Sequence, residues 1–245
     1  RRECDTEHFT DVDDQGELNA SSAFAALAAV EYFERRIAGR TYDASPLFLY
    51  QVTRCIIAKG DRSLADFGAD LRTTLKVLVQ VGAPPEQYCK YNVENFGSEL
   101  SAFLFSQAVP PKNLCYFRID DPSDGEATWS AVKSFLAAGF PVLFGFSVPS
   151  SICVDADIMF RPEQDAPRGG QAVVAVGYQQ NRYGTNQHAL LIRNSWGQQW
   201  GANGYGWLPV GFVRRRLARD FWCLVSDDWF DATELSRPSV VDSDQ

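Results

Sequence analysis

Apolar residues in the first part of the chain recur every three or four positions, a spacing typical of amphipathic helices. The clearest run covers residues 21–40, and its stretch of small and apolar residues at 23–29 predicts a helix whose first half is buried on all sides. Gly39 is the predicted stop signal for this helix. Three further helices are predicted at residues 46–58, 71–81 and about 98–107.

The second part of the chain changes from helical to strand-like spacing. One helix, at about 128–138, is followed by apolar runs that predict strands at 140–148, 171–178, 189–195, 205–209 and 221–225. Helices followed by strands indicate an α+β fold with two segregated layers and a cleft between them. We expect one domain over residues 1–235, mainly helical over about 10–115 and mainly β over about 116–226. The acidic tail at 236–245 is predicted to be disordered.

The negative net charge of the chain makes two classes of partner improbable. The net charge is −8, which argues against nucleic acid and against an anionic membrane surface, because both need clustered lysine and arginine. The one basic cluster is interpreted as a solvated helical face, and it consists of Arg214, Arg215, Arg216 and Arg219. No apolar run is long enough to span a bilayer, and no signal-peptide pattern is visible, so we favour a cytoplasmic location.

Cysteine and histidine usage gives no indication of a metal site. The six cysteines show no CxxC spacing, and His8 and His188 are the two histidines. We therefore expect no metal and no cofactor. Free thiols in a reducing compartment are the favoured state of the cysteines, since a chain of this size does not need disulfides.

Three separated segments resemble the papain family of cysteine peptidases, and their flanks fit its bacterial-type branch. Residues 14–24 contain Gln-Gly ahead of Ser21, residues 170–178 read Gly-Gln-Ala-Val-Val-Ala-Val-Gly-Tyr, and residues 193–205 contain Asn-Ser-Trp-Gly followed by Trp-Gly and Gly-Tyr. The resemblance covers about residues 10–226. It implies a papain-like fold with a helical left half, an antiparallel β-barrel-like right half and a cleft between the halves.

The resemblance also assigns family positions to individual residues. In the family, a cysteine thiolate at the start of the long helix attacks the substrate, and a histidine acts as base. Here Ser21 stands at the nucleophile position and Gln171 at the base position. Asn194 matches the orienting asparagine, Gln15 the oxyanion residue and Trp196 the shielding aromatic.

The two replacements together predict a loss of catalysis. A serine hydroxyl needs a base within hydrogen-bonding reach, and the Gln171 side chain cannot take up a proton at physiological pH. The neighbouring Asn19, Ala20 and Ser22 also depart from the family pattern, which indicates natural divergence. Substitute bases are disfavoured, and the candidates are His8, Glu163, Asp165 and His188.

The substrate cleft can persist without catalysis. Its backbone rung, which would pair with an extended peptide, resembles Phe67, Gly68 and Ala69, and the opposite wall should come from residues 166–170, including Gly170. Gly68 could equally be a simple turn glycine. Gln15 and Asn194 could likewise persist only as hydrogen-bonding partners between the two halves.

The function predicted from the sequence is non-catalytic. We expect a pseudopeptidase that binds a protein or peptide partner as an adaptor, scaffold or regulator. The alternative is a Ser21-dependent hydrolase or acyltransferase that acts on an ester, thioester or amide through an unrecognised base. A third interpretation makes the chain one domain of a larger assembly.

Overall fold

The computed structural model describes residues 2–3, 6–59 and 65–229. Four helices precede the main sheet: α1 (Ser21–Ala38), α2 (Pro46–Ile57), α3 (Leu71–Gln80) and α4 (Ala102–Gln107). The first three agree with the predicted helices to within two residues at each end. The fourth begins at Ala102 rather than near residue 98, because the Ser101 hydroxyl caps it by accepting from the Leu104 N–H. The predicted tail at 236–245 lies outside the described residues.

The recorded pairs between named strands of the β half are all antiparallel. Its strands are β1 (Arg2–Glu3), β2 (Leu114–Arg118), β3 (Val142–Pro149), β4 (Pro167–Gln179), β5 (Ala189–Arg193), β6 (Tyr205–Pro209) and β7 (Ala218–Ser226), with α5 (Gly125–Ala137) and α6 (Gly211–Arg214) between them. The sheet order is β2-β7-β3-β4-β5-β6, and β1 pairs with β4. The predicted α+β class is confirmed.

Several predicted boundaries are wrong for local reasons. The helix predicted at 128–138 starts at Gly125, because the Asp124 carboxylate accepts from the N–H groups of Glu126 and Ala127. The strand predicted at 189–195 ends at Arg193, and β4 starts at Pro167 rather than at residue 171. β1, β2 and α6 were not predicted, because they are short or lack a clear apolar period.

The four arginines do not share one helical face, so that interpretation was also wrong. Arg214 is the last residue of α6, and Arg215 is its C-cap. Arg216 has a φ of +58°, in the left-handed region, and Arg219 lies on β7. The chain therefore turns sharply between the second and fourth arginine.

The core joins the two halves along α1. This helix packs against β4 and β3 on one side and against α2 and α3 on the other. Ala25 and Ala28 line the same small cavity as residues 172–174 of β4, and their small side chains let the sheet approach the helix closely. The start of α1 is thereby held against the middle of β4.

Candidate functional site

The nucleophile position lies where α1 meets β4. Ser21 is the first residue of α1, and the preceding Ala20 has no side chain that could cap the helix. The Ser21 hydroxyl accepts a hydrogen bond from the backbone N–H of Ala172 at 3.1 Å. Within the described residues this is the one hydrogen bond recorded for the hydroxyl, so no side-chain base contacts it.

The base position belongs to a buried network of amides. The Gln171 Nε2 group donates to Oε1 of Gln15 at 2.8 Å and to Oδ1 of Asn194 at 2.8 Å. Oγ of Ser195 lies 3.2 Å from the same nitrogen and itself donates to Gln15 Oε1 at 2.7 Å. The structure thus brings Gln15, Gln171 and Asn194 together, and it adds Ser195.

Backbone pairing holds Gln15 beside Asn194. The Gln15 N–H donates to the carbonyl of Ser195 at 2.9 Å, and the Gly197 N–H donates to the carbonyl of Asp13 at 2.9 Å. Residues 13–15 therefore run along residues 195–197. Ser195 was not predicted as a site residue, although it lies inside the Asn-Ser-Trp-Gly block.

The amide nitrogen of Gln15 faces inward. Nε2 donates to the carbonyl of Leu18 at 2.8 Å, while Oε1 accepts from Gln171 and Ser195. Both ends of the predicted oxyanion side chain are thus engaged within the protein. This geometry favours the alternative in which Gln15 persists as an internal hydrogen-bonding partner.

Asn194 is also held internally. Its Oδ1 accepts from Gln171 and from the Ser195 N–H at 2.9 Å. Its Nδ2 atom is buried and has no recorded hydrogen-bond partner within the described residues. A cavity of about 10 Å³ adjoins Asn194, and one water molecule needs about that much space.

A buried carboxylate lies on the third turn of α1. Glu31 accepts a hydrogen bond from Oγ1 of Thr10 at 3.1 Å, and Arg193 donates to the carbonyls of Thr10 and Asp11 at 2.8 Å. Burial, with a smaller contribution from the charge of Asp13, raises the pKa of Glu31 to about 8. This group therefore sits beside the segment that leads into Gln15.

The two histidines belong to other parts of the molecule. The Nδ1 atom of His188 accepts from the Asn181 N–H at 3.0 Å, and its ring stacks on Trp129 with the centroids 5.6 Å apart. Burial lowers the pKa of His188. The His8 ring lies edge-on to Tyr32. Neither histidine lines the cleft that contains Ser21.

The two candidate carboxylates also contact other partners. Asp165 accepts hydrogen bonds from Oγ of Ser150 at 2.9 Å and from Oγ of Ser151 at 2.7 Å. These bonds lower the pKa of Asp165, and the bond from Ser151 makes the largest contribution. Glu163 pairs with Arg215 at 2.9 Å. Neither carboxylate lines the cleft, so the structure does not bring a candidate base to Ser21.

Ser21 and Gln171 line an open cleft of about 820 Å³. Residues 67–69 form one wall, and Gly169 and Gly170 form part of the other. The structure thus places Phe67, Gly68, Ala69 and Gly170 in one cavity, whereas residues 166–168 of the predicted wall do not line it. Phe67 is 82% exposed, so its ring is available to a ligand.

The free backbone rung lies at Ala69 rather than at Gly68. The Gly68 N–H donates to the hydroxyl of Tyr50 at 3.2 Å, and its carbonyl accepts from Arg54 at 2.8 Å. Gly68 also has a φ of +76°, so it is a turn glycine. The N–H and carbonyl of Ala69 have no recorded partner in the part of the chain that the structure describes.

Two charged side chains fix this wall. Arg54 donates to the carbonyls of Ala65 and Gly68 and lies 5.6 Å from the centroid of the Phe67 ring. The Asp66 carboxylate accepts from the backbone and side-chain nitrogens of Asn19, at 3.0 and 2.9 Å. Neither residue was predicted to belong to the cleft, although an arginine within the apolar helix α2 is a usable signal.

Trp196 lies beside the segment that leads into Gln15. Its backbone pairs with Asp14, and its half-buried ring is edge-on to Trp200 at a centroid distance of 5.3 Å. Its role as a shield over the Gln171–Asn194 hydrogen bond stays a prediction.

Three other properties concern the described residues alone. No helix among them is both long and apolar enough to cross a bilayer. They contain no cluster of three or more histidine, cysteine, aspartate or glutamate side chains suited to a metal ion. Cys55, Cys89, Cys115 and Cys153 are among the described cysteines that form no disulfide. Cys4 lies outside the described residues.

Comparisons with known proteins agree with this architecture. The family model described as papain family cysteine protease matches residues 1–215. An uncharacterised peptidase C1-like protein of Acanthamoeba polyphaga mimivirus is 31% identical over 242 residues, which cover 93% of this chain and 75% of that protein. Rat cathepsin J is 25% identical over 219 residues, 81% of this chain but 56% of that protein.

A solved structure is similar over almost the whole chain. Xylellain, a cysteine protease from Xylella fastidiosa, superposes with a TM-score of 0.75 at 27% identity, covering 92% of this chain and 86% of that chain. This similarity confirms the predicted fold.

Proposed function

The chain belongs to the papain family of cysteine proteases, and from that premise we propose that it is a non-catalytic member whose cleft binds a protein or peptide partner. The observation that carries the proposal is the bonding of Gln171. Its amide nitrogen stands at the base position and is used by Gln15 and Asn194. An amide in this setting has no capacity to accept the proton of an attacking hydroxyl.

The nucleophile position supports the same proposal. The Ser21 hydroxyl has a pKa far above neutral and needs a general base for attack. Its recorded partner within the described residues is the Ala172 N–H, which is a donor and not an acceptor. One of the two hydrogens on the Gln15 amide nitrogen is also taken by the Leu18 carbonyl, which ties the oxyanion side chain to the protein interior.

Binding is supported by what the cleft retains. Its volume of about 820 Å³ suits a peptide segment, and Ala69 offers an unused N–H and carbonyl on one wall. An extended peptide could pair with Ala69 as an added strand, while its side chains contact the exposed ring of Phe67. A partner bound in this way fits a role as adaptor, scaffold or regulator, including within a larger assembly.

The test is turnover of a fluorogenic peptide library by the purified protein, alongside Ser21→Ala. We expect no turnover above the buffer background for either protein. Turnover that Ser21→Ala abolishes would sink the proposal. Capture of extended peptides by an immobilised sample of the same protein tests the binding half, and a complete failure to retain any peptide or protein partner would count against it.

The position of Ser21 also supports one alternative function, in which its hydroxyl is a catalytic nucleophile. Its side chain lines the cleft at the start of α1, where the helix dipole favours a developing negative charge. A Ser21-dependent hydrolase or acyltransferase would be labelled at Ser21 by a serine-reactive phosphonate. An unlabelled Ser21, with an active serine hydrolase labelled in parallel, would count heavily against this alternative.

A further inference from the structure

The strand β2 lies at one outer edge of the sheet, and among the described residues no strand pairs with its outer side. The opposite edge is covered, because the backbone of Trp207 on β6 donates to the carbonyl of Ala156 and accepts from the N–H of Ile158. An edge strand can pair with another chain unless charge, proline or a bulge obstructs it. β2 is therefore the edge at which the sheet can be extended.

The register of β2 on β7 shows which of its backbone groups face outward. The Ile119 N–H donates to the carbonyl of Phe221 at 2.9 Å, and the register is unbroken through the strand. Because hydrogen-bonded pairs alternate along an antiparallel ladder, the odd-numbered residues of β2 bond to β7. The N–H and carbonyl groups of Tyr116 and Arg118 consequently point away from the sheet. No other partner for these four groups is recorded in the part of the chain that the structure describes.

The middle of this edge has none of the features that obstruct pairing. Cys115 and Phe117 are exposed on one face of β2, and Tyr116 is half-buried on the other. Residues 114–117 contain no charge and no proline, and the pairing with β7 shows no bulge. The charge of Arg118 is balanced by Asp120, which lies 2.6 Å away. An exposed, uncharged edge of this kind accepts a further strand.

The charges at the two ends of β2 are opposite in sign. Lys112 precedes the strand, is exposed and has no recorded ion pair among the described residues. Asp121 follows the strand, is also exposed and also has no recorded ion pair there. A second β2 that runs antiparallel to the first brings Lys112 of each copy towards Asp121 of the other. A parallel copy would instead place like charges together, at a cost in free energy.

We propose that two copies of this chain pair along β2 and form one continuous antiparallel sheet across a two-fold axis at Tyr116. In this register the two Tyr116 residues exchange both of their outward N–H···O bonds. Cys115 of each copy lies opposite Phe117 of the other, which is a favourable contact between sulfur and an aromatic ring. The contact uses the same surface on both copies, so it closes at a dimer.

This inference is independent of the proposed function, because none of the paired residues lines the cleft. Sedimentation equilibrium of the purified protein measures the association. We expect a Kd of about 10–100 µM, since one short strand buries less surface than the ~1,600 Å² of a standard stable interface. A protein that stays monomeric up to about 1 mM would overturn the proposal, because that excludes a Kd in the expected range.

Tyr116→Pro tests the backbone pairing. Proline removes an N–H that points outward and leaves the bonds from β2 to β7 in place. It should weaken association at least about tenfold, whereas the matched control Tyr116→Ala should stay within about threefold of the native protein. Both variants lose the contact of the Tyr116 ring with Trp222, so their difference reports the N–H. A dimer that survives Tyr116→Pro would place the contact on another surface and refute the proposal.

Amide hydrogen exchange in the native protein gives a test that needs no variant. The amide hydrogens of Tyr116 and Arg118 should exchange severalfold more slowly at a concentration about tenfold above the Kd than at one about tenfold below it. Equal rates at the two concentrations would overturn the proposal, even if Tyr116→Pro proves too unstable to study. Thermal unfolding of each variant checks that it is folded.

Charge reversal tests the antiparallel register. Lys112→Glu should weaken association about tenfold, because the two-fold axis repeats the lost contact. Adding Asp121→Lys to this variant should restore the Kd to within about twofold of the native value. Lys90→Glu is the control, since it makes the same charge change at an exposed residue far from β2 in sequence and should leave the Kd unchanged. An unaltered Kd in Lys112→Glu, or no recovery in the double variant, would refute the register.

Discussion

The Ser21 hydroxyl accepts its hydrogen bond from the backbone of Ala172, the residue next to Gln171, and not from the Gln171 side chain. That side chain faces Gln15 and Asn194 instead. The nucleophile and base positions of the family are therefore adjacent but belong to two separate hydrogen-bonded groups. A catalytic pair needs contact between them, and restoring it requires both residues to change.

The first prediction concerns that double change, Ser21→Cys with Gln171→His. An imidazole at position 171 would find Oδ1 of Asn194 within hydrogen-bonding reach and could hold the new thiol as a thiolate. At pH 6 an unperturbed thiol, with a pKa of about 8.5, is ionised to well under 1%. We expect iodoacetamide to label residue 21 about 100-fold faster in the double variant than in Ser21→Cys alone.

The matched control is built into the chain. The exposed Cys55, Cys115 and Cys153 report the background rate in the same sample. Equal rates at position 21 in the single and double variants would mean that a side chain at 171 does not reach the nucleophile position. Peptide turnover should stay slow even in the double variant, because the bond from Gln15 to the Leu18 carbonyl fixes the orientation of the oxyanion side chain.

The second prediction concerns the contribution of Gln171 to stability. Gln171→Leu removes two buried hydrogen bonds of 2.8 Å and leaves polar atoms of Gln15 and Asn194 with fewer partners. We expect the free energy of unfolding, measured with urea, to fall by about 1–3 kcal/mol. Gln164→Leu changes an exposed glutamine near the same strand and should have little effect. A loss of the same size in both variants would contradict a structural role for the network.

The third prediction concerns pH and Glu31. The pKa of this buried carboxyl is about 8 in the folded protein and about 4.5 in the unfolded chain. Between these values the unfolded chain has released the proton and the folded protein keeps it. The contribution of Glu31 to stability is therefore greatest below pH 4.5 and falls as the pH rises to 8, by at most about 1.4 kcal/mol per unit.

Glu31→Gln should remove this slope. A glutamine oxygen can still accept from Thr10, so the variant should be more stable than the native protein at pH 8. Glu34→Gln, one turn later on α1, is the control and should keep the native slope. The measurement is urea unfolding at pH 5 and pH 8. Identical slopes for Glu31→Gln and the native protein would refute the raised pKa.

The fourth prediction concerns occupancy of the cleft. Gly170 lines it, and a Cβ atom added there meets no other atom within 4 Å. Gly170→Trp should therefore fold normally and weaken peptide binding at least about tenfold by filling the groove. Thr185→Trp adds the same ring to an exposed turn and should bind peptide like the native protein. Unchanged affinity in Gly170→Trp would place the binding surface elsewhere.

The helices were predicted well where apolar residues recur at the three- and four-residue spacing of a helix. The apolar spacing of α1 and the small residues at 23–29 were sufficient to place it. The sequence could not place β2, whose residues pair with β7 more than 100 positions away, because that pairing has no local signal. The starts of α4 and α5 depend on the capping residues Ser101 and Asp124. Several nearby polar residues could cap a helix equally well, so the sequence does not decide which of them does.

The site shows the same division. Family motifs were enough to bring Ser21, Gln171 and Asn194 into one place. The direction in which each side chain donates could not be predicted, because it depends on neighbours distant in sequence. Ser195 and Leu18 decide the bonding of Gln15, and Tyr50 and Arg54 occupy the backbone of Gly68. The backbone groups that remain available to pair with a peptide are therefore those of Ala69 and not those of Gly68.

The floor of the cleft carries a chemical consequence of its own. Ser21 and Gln171 line the cleft there, and neither they nor the residues bonded to Gln171, which are Gln15, Asn194 and Ser195, contain sulfur or an imidazole ring. Peroxide has no atom to oxidise there, and none of these side chains changes charge between pH 5 and 8. A partner that contacts these residues would meet the same surface during oxidative stress or acidification, which are conditions that change the active site of a catalytic cysteine peptidase.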